Sequence, residues 1–231
     1  LWSLPLLIGL LIVFARSDKL AGSYLQFEAR FLVNLNERRL RREEDAGHNW
    51  LDEQLYVISF RLAPDSPFIG KSLTQLGWGR LFDAYVIKIL RGRAHLNVPP
   101  GKEILRADDI LYVLGEAKRI ENMCRALNLP LDREEQTALT LRRFIAEQEA
   151  DSGNQLFCYA IRVEKDSPFN NVSIKDSTIR DDLDCFLLGL ERNRLPIIKP
   201  DINMLMKADD LIWVLGTQKM AGQLAWQDLL A

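Results

Sequence analysis

Histidine is nearly absent: His48 and His95 are the only two in 231 residues. They are too few and too far apart for a histidine-based metal site. Cysteine is scarce as well. Cys124, Cys158 and Cys185 are odd in number and none forms a CxxC pair, which argues for reduced thiols and against a disulfide framework. No charge of one sign prevails. Lys and Arg number 30 against 32 Asp and Glu, a net charge of −2, which disfavours nucleic acid as the main partner. Catalytic fingerprints are missing too. No GxGxxG follows a strand, and GxxxxGK[ST], HExxH and GxSxG do not occur. Together these absences point away from an enzyme.

Long apolar runs are limited to one. Residues 1–15, LWSLPLLIGLLIVFA, carry no charge. A membrane span needs about 20 such residues, so the run reads as the end of a truncated transmembrane helix. A signal-peptide core would want a preceding positive region and a small-residue cleavage site; a buried core helix is the remaining alternative. Arg16, Lys19, Arg30, Arg38, Arg39, Arg41 and Arg42 follow, and basic residues beside a span favour the cytoplasmic side. Everything after residue 15 is therefore expected to be cytoplasmic. Within 16–50, Leu20, Tyr24, Phe27, Phe31 and Leu35 recur at helical spacing. Two readings stand for this stretch: an amphipathic helix on the membrane surface, or a connecting helix packed on protein.

What the sequence does have is an internal repeat. Asp65-Ser66-Pro67-Phe68 recurs as Asp166-Ser167-Pro168-Phe169, Ala107-Asp108-Asp109 as Ala208-Asp209-Asp210, and Val113-Leu114-Gly115 as Val214-Leu215-Gly216. Arg91, Arg93 and Pro99 match Arg192, Arg194 and Pro200. Every pair is 101 residues apart, and residues 55–127 match 156–228 at 18 of 73 positions without a gap. Two copies of one fold are implied, over 51–127 and 155–231, joined by a helical linker at 128–154 that spaces them.

Each copy predicts the order β-α-β-β-β-α, an α+β unit. Strands are expected at 55–62, 83–90 and 110–114, a short helix near 71–76 and a closing helix at 116–127. The second copy predicts strands at 156–163, 184–190 and 211–215 and a closing helix at 218–229. Proline stops the first strand, Arg-x-Arg marks a reversal, and a third short strand leads to Pro99 or Pro200. Gly115 and Gly216 end the last strand. Ala-Asp-Asp is a turn whose carboxylates accept from backbone N–H groups; with no histidine nearby, the paired acids are read as structural. Tyr112 and Trp213 are read as core. A unit of about seventy residues is small for its own core, so the copies are expected to dock on each other or on a second chain.

These residues resemble the C-terminal domain of the regulator-of-potassium-conductance family, the TrkA-C domain. The likeness rests on the opening from Asp65 to Leu73, on Arg91-Gly92, on Pro99, and on "ADDILYVLG" from Ala107 to Gly115. The second copy keeps Asp166 to Phe169, Ser173, Arg192, Pro200 and "ADDLIWVLG" but has Asn170-Asn171 in place of the opening's glycine. "FEARFLVNLNERR", Phe27 to Arg39, is similar to the join before such a domain pair in bacterial monovalent cation:proton antiporters. The resemblance implies a regulatory, homodimerising region of a K+ or Na+:proton antiporter in the bacterial inner membrane. It also implies a nucleotide ligand such as cyclic di-AMP, held by Ile87, Arg91, Asn97 and Pro99 in the first copy; the equivalents in the second are Leu188, Arg192, Ile198 and Pro200, with Ile198 in place of Asn97. Arginine suits a phosphate because its guanidinium pairs bidentately with it. A purely structural dimerisation module is the competing reading.

Overall fold

The computed structural model describes residues 50–129, 138–148, 155–177, 179 and 185–217. The expected span, the juxtamembrane helix and the closing helix at 218–229 lie outside these. No helix among the described residues is long and apolar enough to cross a membrane.

The first copy runs α1 (Trp50–Gln54), β1 (Leu55–Arg61), α2 (Leu73–Leu76), α3 (Trp78–Phe82), β2 (Tyr85–Arg91), β3 (Ala94–Asn97), β4 (Ile110–Glu116) and α4 (Ala117–Ala126). The linker contributes β5 (Leu139–Thr140) and α5 (Leu141–Ala146). The second copy contributes β6 (Leu156–Arg162), β7 (Phe186–Arg192), β8 (Leu195–Ile198) and β9 (Leu211–Thr217). All pairing is antiparallel, in sheets ordered β3-β2-β4-β1-β5 and β6-β9-β7-β8. The α+β reading and the tandem arrangement are what the structure shows.

Local chemistry explains the punctuation. Ser72 caps α2 by accepting from the Gln75 amide, and Gln75 returns the bond to the Ser72 amide, a capping box. In the Asp-Ser-Pro-Phe turns, the hydroxyls of Ser66 and Ser167 accept from the amides of Phe68 and Phe169. Gly70 sits at φ 78°, and its counterpart Asn171 at φ 61°. Asparagine is the side chain that best tolerates this left-handed region, so the glycine missing from the second opening is replaced without loss of backbone shape. The same exchange recurs at the hairpin, where Gly92 at φ 59° is matched by Asn193 at φ 55°.

Three expectations need correction. Gly115 and Gly216 do not end their strands: Gly115 pairs with Tyr56, and β4 continues to Glu116; Gly216 pairs with Phe157 within β9. Glycine is needed at 115 for close approach, because a Cβ there would stand 3.2 Å from the Asp83 carbonyl oxygen. The second strand starts at Tyr85 rather than 83, because Asp83 caps α3 in the left-handed conformation. The linker does not hold the copies apart. Its β5 extends the first sheet, and Leu141 and Phe144 are buried between the copies.

The core has three parts. Phe60, Phe68, Trp78, Ile89, Leu111 and Met123 fill the space between the first sheet and its helices. Tyr159, Val163, Met206, Ile212 and Val214 do the same beside the second sheet. Between them lies a seam: Trp50, Val57, Ile87 and Leu114 meet Phe186, Leu188, Trp213 and Leu215. Both faces of the first sheet are thus covered, which is why its strands read as near-continuous apolar runs rather than alternating ones. The copies dock on each other, as two small cores require.

Candidate functional site

The sheet geometry decides where the predicted ligand residues point. β2 carries a bulge between Val86 and Lys88, and β7 carries the matching one between Leu187 and Gly189. The extra residues are Ile87 and Leu188. A bulge re-aims side chains, and here it sends both into the seam, where Ile87 is fully buried and Leu188 is 5% exposed. Val98, at φ 46°, donates its amide to the Ile87 carbonyl oxygen at 2.8 Å. Val98 and Ile198 line the same seam, half-buried, and Asn97 ends β3 beside them. Pro99 and Pro200 are buried. Ile87 and the Asn97–Pro99 segment are thus brought together at the junction of the two copies.

Arg91 is elsewhere. Alternation along β2 places it on the face of Ile89, opposite Ile87. Its Nε and Nη2 donate to the two oxygens of Asp109 at 2.8 and 2.9 Å, its Nη1 to Glu103 at 2.8 Å, and its Nη2 also to the Ile104 carbonyl at 2.9 Å. Four of the five N–H groups of a guanidinium are therefore engaged inside the domain. Arg91 and Ile87 do not converge on one ligand position.

The Ala-Asp-Asp motif gains a partner that the sequence reading missed. Asp109 is fully buried, and its carboxylate also accepts from the Arg106 amide at 2.9 Å. Burial alone would push this carboxyl up. The bonds from Arg91 and Arg106, with their charges, outweigh it and hold Asp109 below the ordinary aspartate range. The bonds to Asp109 and Glu103, in turn, raise Arg91 despite its partial burial. The second copy repeats the device: Arg192 grips both oxygens of Asp210 at 2.9 and 2.7 Å, and Asp210 accepts from the Lys207 amide. The signal was present in the sequence as Arg and Asp eighteen residues apart in both copies. Asp108 and Asp209 make the positive-φ corner, at 64° and 72°.

The seam is asymmetric at one point. Glu191, 4% exposed, accepts on one oxygen from the indole N–H groups of Trp50 at 2.8 Å and Trp213 at 2.9 Å. The first copy has Leu90 and Tyr112 at the positions of Glu191 and Trp213. Tyr85 meets Phe186 edge-on at 5.3 Å across the seam, and Lys199 pairs with Asp83 at its edge. Among the described residues, no group of His, Cys, Asp and Glu is placed to hold a metal.

The TrkA-C domain family matches this chain twice, at residues 57–128 and 158–225. The chain belongs to the TrkA-C domain family. Its two matches coincide with the two repeats, so the protein carries tandem TrkA-C domains. No curated protein sequence matches it. Among solved structures, it is similar to the RCK_C domain dimer of S. agalactiae BusR in complex with c-di-AMP, at 19% identity over 32% of this chain and 99% of that one, TM-score 0.30. It is similar to the KtrA RCK C domain in complex with the same ligand, at 18% identity over 30% and 80%, TM-score 0.28. It is also similar to the GsuK RCK domain, at 10% identity over 77% and 64%, TM-score 0.35.

Proposed function

We propose that these tandem TrkA-C domains are the cytoplasmic regulatory region of a bacterial inner-membrane monovalent cation:proton antiporter. Their role is regulatory rather than catalytic. The observation that carries the reading is Trp50. It stands just before β1, at the point where the preceding segment joins the first domain, yet its indole is bonded to Glu191 of the second domain. Any change in how the two domains meet is therefore felt where the chain enters them. A ligand acting there shifts the transporter only to the extent that it prefers one arrangement. Cyclic di-AMP, present in the BusR and KtrA complexes, is the nucleotide to try first, and the seam around Ile87, Asn97 and Pro99 is its position. Homodimers of the whole chain would bring two such pairs together.

The closed seam favours a second reading, a structural assembly module with no small ligand, because Ile87 has no exposed surface. One measurement separates them. Cyclic di-AMP added to the full chain should raise its melting temperature by mass action, and Ile87→Ala should abolish the rise. A dimeric protein whose melting temperature no nucleotide moves would leave the assembly reading.

A further inference from the structure

The two copies carry cations at four matching positions. Arg61, Arg91, Arg93 and Arg106 of the first correspond, at the 101-residue offset, to Arg162, Arg192, Arg194 and Lys207 of the second. In the second copy these four line a cavity of about 520 Å³, within the range of small-molecule sites, roughly 300–1,000 Å³. Three acids line it as well: Asp209 is exposed, and the other two are engaged. Asp210 is held by Arg192 and the Lys207 amide, and Glu191 accepts the two indoles.

One exchange between the copies bears on the arginine itself. Glu103, which takes Arg91 Nη1 in the first, is replaced by Met204 in the second. Arg192 keeps its bonds to Asp210 and to the Leu205 carbonyl, but among the described residues no acceptor meets its Nη1. The guanidinium is thus oriented by Asp210 on one side and open on the other, beside Arg194 and Lys207. An acceptor with several oxygens and negative charge completes this arrangement.

We infer that the cavity of the second TrkA-C domain binds a phosphate group, through Arg192 Nη1, Arg194 and Lys207, on the side of β7 away from Leu188. The site lies in the second domain, where Met204 stands in place of the Glu103 that takes the matching guanidinium nitrogen in the first. It stands apart from the transporter reading, which survives if this binding fails.

The test is calorimetric titration of the full chain with inorganic pyrophosphate. One phosphate-dependent site per chain is expected. Met204→Glu, which restores the first copy's arrangement, and Lys207→Ala should each weaken it by about tenfold, the loss of one charge-assisted bond. Arg106→Ala, the matching change in the first copy, should leave it unaltered. Lys207 is exposed and Met204 half-buried, and thermal melts check that the variants fold. In a parallel arm, flotation with phosphatidylglycerol vesicles compares wild type with Met204→Glu. A difference there with pyrophosphate silent assigns the phosphate to a lipid headgroup. No response in either arm, or responses that ignore Met204→Glu and Lys207→Ala, would overturn the site.

Discussion

The rim of the Trp50 indole fills the space that a side chain at Gly189 would need. A Cβ at 189 would stand 2.7 Å from Trp50 Cη2 and 3.0 Å from the Ile197 carbonyl oxygen. Gly189→Ala should therefore cost about 1–3 kcal/mol through overpacking. Urea denaturation reads this directly. A midpoint equal to wild type would mean that Trp50 does not sit there in solution.

Trp50→Phe keeps most of the ring but removes its bond to Glu191. The expected loss is about 1–2 kcal/mol. In a Glu191→Leu background, which copies the first domain, the same change should cost less, because the indole no longer has a partner to lose. A double-mutant cycle should return a coupling of about 1 kcal/mol or more. Zero coupling would show that the bond contributes nothing to docking.

Asp109 sets the acid limb of stability. Its folded pKa is depressed, so the unfolded chain binds the proton more readily. This contribution is complete above the unfolded value of about 3.9 and is lost as pH falls through the lower folded value. Asp109→Asn should flatten the stability profile below about pH 4. At neutral pH it should cost about 3 kcal/mol, because Arg91 loses the buried carboxylate that takes two of its N–H groups and keeps only Glu103. A profile unchanged between variant and wild type would exclude Asp109 as the titrating group.

The Lys199–Asp83 pair crosses the edge of the seam, but Lys199 is more than half exposed. Lys199→Ala should change stability by less than about 1 kcal/mol, and that change should fade with added salt. A loss well above this would make the ion pair, rather than the apolar contacts, the main tie between the domains.

Much of this fold could be read from the repeat. The offset of 101 residues carried the strand order, the hairpin and the Ala-Asp-Asp turn into both copies at once. The apolar strands showed their existence but not their faces, since residues buried on both sides lose the alternation that would tell them apart. The bulges at Ile87 and Leu188 were hidden for the same reason. One extra residue changes which way a side chain points without changing composition, so Ile87 and Arg91 looked like neighbours in one site and lie on opposite faces. Trp50 was invisible as a tie because its partner is 141 residues away and no local pattern records it.

Fusing the two domains on one polypeptide also changes what mutation can do. A pair of identical chains related by a twofold axis must carry every substitution on both sides of the axis. Here each half changes alone. Leucine at 90 against glutamate at 191, lysine at 88 against glycine at 189, and glutamate at 103 against methionine at 204 are differences that a symmetric dimer would have to suffer twice. One half supplies, through Glu191, the anchor for Trp50, while its twin carries Leu90 at the matching position and offers no such carboxylate.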